Sequence, residues 1–204
     1  MVEKYTSPEE TLTEIKQLME RSSRFISLSG LSGVMAGIYA IAGALAAYYY
    51  LYGGNGAGRE GYQENDTTFL LADAALVLIL AVGTGIFLTT RKARKDGNSL
   101  LDAAAKKLII NLCIPLFTGG VFCLALIYHN NWFYVVPSML VFYGLALVHA
   151  SKYTRDDVRS LGLSEIALGL ISLFVIGYGL VFWTLGFGVL HIVYGTYMYY
   201  KYEK

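Results

Sequence analysis

Long uncharged stretches separated by short clusters of charge dominate the chain. Between Phe25 and Gly58 there is no Lys, Arg, Asp or Glu, and the apolar part of that stretch covers residues 26–51. A second stretch, 67–90, is interrupted only by Asp73. From Leu108 to Ser151 the chain runs 44 residues without a formal charge, and from Leu161 to Tyr200 it runs 40 with Glu165 alone. A helix rises about 1.5 Å per residue and a hydrocarbon core is about 30 Å thick, so about 20 apolar residues cross it. Each of the two longest stretches must therefore reverse once. His129-Asn-Asn-Trp132 marks the first reversal, and the segment between Gly177 and Gly186 the second. The pattern predicts an all-α membrane protein with six transmembrane helices, approximately 26–51, 67–90, 104–128, 132–151, 161–179 and 182–200. These form a bundle over 25–200 and leave 201–204 as a cytoplasmic tail.

Residues 1–24 read differently. Leu12, Ile15, Leu18, Met19, Ser22 and Ile26 recur at helical spacing, with Glu14, Lys16, Gln17, Glu20, Arg21 and Arg24 on the other face. That is an amphipathic helix suited to the membrane surface, to a partner protein or to capping the bundle. Ser7-Pro8-Glu9-Glu10, Ser99-Leu100-Leu101-Asp102 and Thr154-Arg155-Asp156-Asp157 each place a carboxylate three positions after a hydroxyl residue, the pattern of a helix N-cap. Each inward loop thus opens a helix before the membrane. Gly30-Leu31-Ser32 with Gly37 repeats as Gly162-Leu163-Ser164 with Gly169, which suggests three helical hairpins arranged as a parallel repeat.

Composition adds the solvent. The chain is 55% hydrophobic and 15% charged, against about 25% charged in a soluble domain. Its 16 basic and 15 acidic residues nearly cancel, leaving no global field for nucleic acid. Their placement is informative. With a cytoplasmic amino terminus, fifteen of the sixteen basic residues fall inside and only Arg59 outside. The positive-inside rule then puts both termini in the cytoplasm of a plasma (inner) membrane protein. Tyrosines 48, 49, 50 and 52, Trp132 with Phe133 and Tyr134, and tyrosines 197, 199, 200 and 202 cluster at helix ends, as interfacial anchors do. Cys113 and Cys123 are ten residues apart on one helix, about 15 Å, too far for a disulfide.

Three stretches carry a resemblance: Arg24-Phe-Ile-Ser-Leu-Ser-Gly-Leu-Ser-Gly33, Phe142-Tyr-Gly-Leu-Ala-Leu-Val-His-Ala-Ser-Lys-Tyr153 and Gly186-Phe-Gly-Val-Leu-His-Ile-Val-Tyr-Gly195. They resemble a family of uncharacterised small six-span integral membrane proteins of Bacteroidetes-type bacteria. The resemblance implies an inner-membrane location and no activity. In hairpin count and length alone the chain is also similar to acid-resistance membrane proteins of the HdeD type.

Ionisable residues inside spans are the candidate chemistry, because an unpaired charge at the membrane centre costs about 2.5–3.5 kcal/mol. Asp73 and His129 lie toward the outer face and are expected to pair. His149 and Glu165 lie toward the inner face and are expected to do the same. His191 is deepest, with Asn111 or a backbone carbonyl as its partner. Small residues at Gly30, Gly33, Gly37, Ala40, Ala44 and Ala47 mark the packing stripe of the first span. The face Thr184, Gly188, His191, Gly195, Met198 in the sixth span, Glu165, Gly169, Ser172, Gly179 in the fifth and Asn111, Pro115, Thr118 in the third are expected to converge inside. Pro115 should free a carbonyl one turn back.

Three functions follow. The first is a non-enzymatic membrane protein whose cytoplasmic face, 1–24 with Arg91 to Lys107, engages a partner protein or anionic lipid. The second is a small transporter or channel in which Asp73, Asn111, His149, Glu165 and His191 line an ion, proton or ligand path. The third is an intramembrane enzyme or cofactor carrier. No metal or other cofactor is expected, and the different depths of His149 and His191 disfavour a haem between them.

Overall fold

The computed structural model describes residues 24–25, 27–53, 64–95, 97 and 103–204. The amphipathic helix expected at 1–24, the loop around Arg59 and Glu60 and the N-cap expected at Ser99 lie outside the described residues, apart from Arg24. The regular structure of the described residues is helical, without strands. Helix α1 is Gly30–Tyr52, α2 is Glu64–Lys95 and α3 is Ala103–Tyr128. A single turn, Trp132–Tyr134, leads into α4, Val135–Ala150, and another, Ser151–Tyr153, leads out of it. Helix α5 is Asp156–Phe174, and α6 spans Gly179–Tyr202.

Five of these helices, all but α5, are long and apolar enough to cross a membrane. Helix α5 has the length of a span, but Asp156, Asp157, Arg159 and Glu165 lower its hydropathy. The reversal at 129–131 is where the sequence places it, with Asn130 in the left-handed region at φ 58°. The second reversal comes earlier than the expected 177–186. Helix α5 stops at Phe174, Gly177 turns the chain at φ 94°, and Gly179 already belongs to α6.

Helix α1 packs on α2 and on α6, while α4 packs on both α3 and α5. The last two helices are therefore not each other's main partners, contrary to a build from three independent hairpins. Glycines explain these choices, since close helix approach in a membrane rests on small residues. A Cβ added to Gly195 would lie 2.5 Å from Val34 N and 2.7 Å from Gly30 O. One on Gly162 would lie 2.7 Å from Gly144 O. Backbone atoms cannot retreat, so α1–α6 and α4–α5 cross where only glycine fits. Gly30, Gly37, Ala40, Ala44 and Ala47 are buried, as the stripe on the first span requires.

The expected inner face of the third span needs correction. Thr118 is exposed, and the buried side of α3 is Ala104, Ala105, Leu108, Gly119 and Cys123. Asn111 Nδ2 donates to Lys107 O at 2.7 Å and Thr118 Oγ1 to Ile114 O at 2.9 Å. A polar side chain that bonds its own helix one turn back needs no interior partner.

At one end of the molecule the chain segments between helices are tied together. Phe25, Ala93, Ala104, Ala105, Leu108 and Ala150 form a buried cluster there. Phe25 N donates to Tyr153 O, and Thr154 Oγ1 donates to Phe25 O, each at 2.7 Å. Thr154 thus bonds across the structure instead of capping α5, whose N-cap position is held by Arg155, with no side-chain capping bond to the helix. Glu203 reaches the start of α1, accepting from Gly30 N, and pairs with Lys92 at 3.0 Å. Lys92 also donates to Leu28 O.

Candidate functional site

The densest polar contact inside the bundle joins α4, α5 and α6. Glu165 lies on the buried stripe of α5, which runs Val158, Leu161, Gly162, Glu165, Gly169, Ser172 at helical spacing. Its side chain is fully buried, and neither carboxyl oxygen has a hydrogen-bond partner among the described residues. The nearest imidazole is that of His191, with Nδ1 3.5 Å from Glu165 Oε1. His191 has two better contacts. Its Nδ1 lies 3.0 Å from Gly186 O, and its Nε2 lies 2.6 Å from Tyr143 Oη.

These contacts define the neutral tautomer. A carbonyl only accepts, so Nδ1 carries the hydrogen and donates to Gly186 O. Nε2 is then the acceptor for the Tyr143 O–H. Tyr143 also packs at a tilt against Phe187, whose ring lies 5.2 Å away between centroids. The imidazole is therefore held at both nitrogens, with the carboxyl of Glu165 beside it.

The backbone of α6 makes this possible. Residues Thr184–Leu190 form a π-helical stretch. In an α-helix, residues five apart point about 140° away from each other, whereas the wider π turn bonds residues five apart and brings them to one side. Gly186 lies inside this stretch, and its carbonyl is within hydrogen-bond distance of the His191 ring, while the His191 backbone N–H goes to Gly188 O. Gly186 also makes room for the acid, since a Cβ there would sit 2.6 Å from Glu165 Oε2 and collide with Leu140.

The remaining sequence candidates are elsewhere. His149 does not meet Glu165. Its Nδ1–H donates to Asn111 O at 3.3 Å. That is the carbonyl which Pro115, lacking an N–H, cannot bond, so His149 compensates the proline. Asn111 does not meet His191 either. Asp73 sits between α1 and α2, its carboxylate close to Gly43. Gly33 is the α1 residue beside the His191 backbone, so Asp73 is about 15 Å farther along α1. His129 is exposed and packs against Tyr128, and no ion pair joins it to Asp73. Sequence reasoning missed Tyr143 and Gly186. The periodicity of α6 could not flag Gly186, because a π turn breaks the three-and-four spacing that the reading relies on.

The arrangement can hold one proton at net zero charge, either on the carboxyl beside a neutral imidazole or on the imidazole beside a carboxylate. No group of three His, Cys, Asp or Glu side chains with metal-binding geometry occurs among the described residues. No protein-family model, no curated protein and no solved structure matches the chain.

Proposed function

We propose that the chain is a six-span protein of the plasma membrane with both termini in the cytoplasm, and that it acts as a small transporter or channel around a proton-binding centre of Glu165, His191 and Tyr143. The carboxyl of Glu165 carries this reading. Both its oxygens are buried without a hydrogen bond, an arrangement that costs several kcal/mol and contributes nothing to packing that leucine would not contribute better. A group retained at such cost is best understood through what its proton does. Gain or loss of a proton by the pair leaves a net charge in a low-dielectric interior, which biases the structure toward a hydrated state.

The topology has its own support. The described basic residues flank helix ends that are tied together by the Phe25–Tyr153, Lys92–Glu203 and Arg24–Asp156 contacts. Basic residues gathered at one end face the cytoplasm under the positive-inside rule. The resemblance of 24–33, 142–153 and 186–195 to small bacterial membrane proteins agrees with an inner-membrane location.

A second reading, a cytoplasmic face for anionic lipid or a partner protein, is favoured by Arg91, Arg94, Lys95, Lys106 and Lys107, all exposed. Arg24, Lys92 and Lys201 are engaged within the molecule and add little to it.

Reconstituted vesicles with an internal pH dye test the transport reading. Under an imposed potential the wild type is expected to move protons, Glu165→Gln to lose the flux at unchanged folded yield, and Asp73→Asn to keep it. A wild type without flux, or Glu165→Gln with full flux, overturns the proposal.

A further inference from the structure

Helices α2 and α3 are consecutive, yet α2 packs on α1 and leaves a space on the side toward α3. That space is a cavity of about 850 Å³, with walls from α1, α2, α3, α4 and α6. Leu78, Val82, Leu112 and Leu116 are typical of its lining, and no Asp, Glu, Lys or Arg takes part. Tyr143 and His191 are on its wall, so the cavity reaches the polar centre. Its size lies within the range of small-molecule sites, about 300–1,000 Å³.

We infer that this cavity binds a long-chain alcohol drawn from the bilayer, fatty or isoprenoid, with its hydroxyl at Tyr143 and its chain between α2 and α3. The wall selects the class. An ionised head would be buried among apolar side chains without a counter-charge, which is prohibitive. Tyr143 gives its hydrogen to His191 Nε2 and keeps a lone pair on Oη, so it accepts from a ligand donor. A hydroxyl provides that hydrogen, whereas a ketone or ester head offers none. The inference takes its head-group contact from the centre described above and gives the proposed transporter its substrate class, but it is tested without measuring flux.

The protein carries its own probe. Trp183 lines the cavity, and Trp132 is the other of the chain's two tryptophans. In the Trp132→Phe background, fluorescence therefore reports on Trp183 alone. Gly85 and Gly120 line the cavity from α2 and α3, and a Cβ at either meets nothing within 4 Å. Leucine at these positions has open space at its first carbon and is the substitution that narrows the cavity. Gly83 is equally open but is not part of the lining, which makes Gly83→Leu the matched control.

Nanodiscs of unbrominated phosphatidylcholine are titrated with dibrominated octadecanol. Saturable quenching of Trp183 is expected, with apparent affinity weakened about tenfold by Gly85→Leu and by Gly120→Leu and unchanged by Gly83→Leu. Quenching that never saturates, that brominated phosphatidylcholine reproduces equally, or that survives both filling substitutions would mean the space holds ordinary bilayer chains and overturns the inference. A second copy seated in the cavity, seen as a dimer lost in Gly85→Leu, overturns it as well. Measuring both readouts on the wild type separates the two proposals: quenching that saturates while flux is absent removes the transport reading and leaves the alcohol site standing.

Discussion

Residues 30–37 and 162–169 share Gly-Leu-Ser and a second glycine at the same spacing, and both segments hold their helix against a neighbour. In α1 the glycines meet Gly188 and Gly195 of α6, and in α5 they meet Gly144 and the Pro137 carbonyl of α4. The two segments first differ at their fourth residue, which is Gly33 in the first and Glu165 in the second; the three apolar residues that follow also differ. Gly33 and Glu165 face the same stretch of α6. A Cβ on Gly33 would lie 3.5 Å from His191 O, and Glu165 Oε1 lies 3.5 Å from His191 Nδ1. One crossing is purely mechanical, and the other puts an acid into an otherwise similar contact. The repeat therefore specifies helix approach, and a single side chain within it specifies chemistry.

The largest effects should come from breaking the shared mechanical part. Gly195→Leu and Gly144→Leu each push a side chain into backbone at a helix crossing, and each is expected to cost about 3 kcal/mol or more. Folded yield and the thermal midpoint in detergent measure this. A loss at one crossing and not the other would mean that the two segments are not equivalent.

The chemical part should respond in the opposite direction. Glu165→Leu removes two buried oxygens without partners and is expected to stabilise the bundle by about 1–2 kcal/mol while abolishing proton uptake. Unfolding midpoint and vesicle flux are read on the same preparation. A Glu165→Leu variant that is less stable than the wild type would show that the carboxyl has a structural partner after all.

His149 sharpens the contrast, because it is an intramembrane histidine with a structural duty. His149→Ala is expected to cost about 1 kcal/mol, since it leaves the Asn111 carbonyl without a donor. Pro115→Ala restores the N–H that bonds that carbonyl, so the cost of His149→Ala should shrink by about 0.5–1 kcal/mol in that background. Proton flux should be unaffected in both.

The smallest effect is expected outside the membrane, where Asp157 of α5 holds the end of α6. Burial raises its carboxyl, but hydrogen bonds from Tyr202 and Lys201 and the charges of Lys201 and Arg155 outweigh this and hold it below the usual range. With the folded value depressed, its contribution is present above the ordinary carboxylate value of about 3.9 and is lost as pH falls through the folded value. The stability difference between wild type and Asp157→Asn should therefore be constant near neutrality and close below about pH 4. A difference that persists in acid would assign the effect to packing.

That several helices are long and apolar enough to cross a bilayer was legible, because an uncharged run of that length is a property of the chain itself. The same holds for the turn at 129–131 and for the packing stripe of α1, where small residues recur at helical spacing. Glu165 and His191 were also legible as out of place in apolar runs. Their pairing was not. Assigning Glu165 to His149 rested on depth along ideal helices, whereas the π-helical stretch at Thr184–Leu190 turns His191 toward α5 and the gap at Pro115 draws His149 to α3. Thr154 was misread as a cap for a similar reason, since the Phe25 carbonyl, 129 residues away in sequence, takes its hydroxyl.

The sequence by itself determined which segments are helical and apolar, and how the basic residues distribute among their ends, because hydropathy and charge add up along one dimension. Only the tertiary structure decided which helices touch, which face each presents and which polar atoms meet. Those outcomes depend on helix rotation and local winding, to which a few glycines, one proline and one π turn contribute more than the many apolar residues around them.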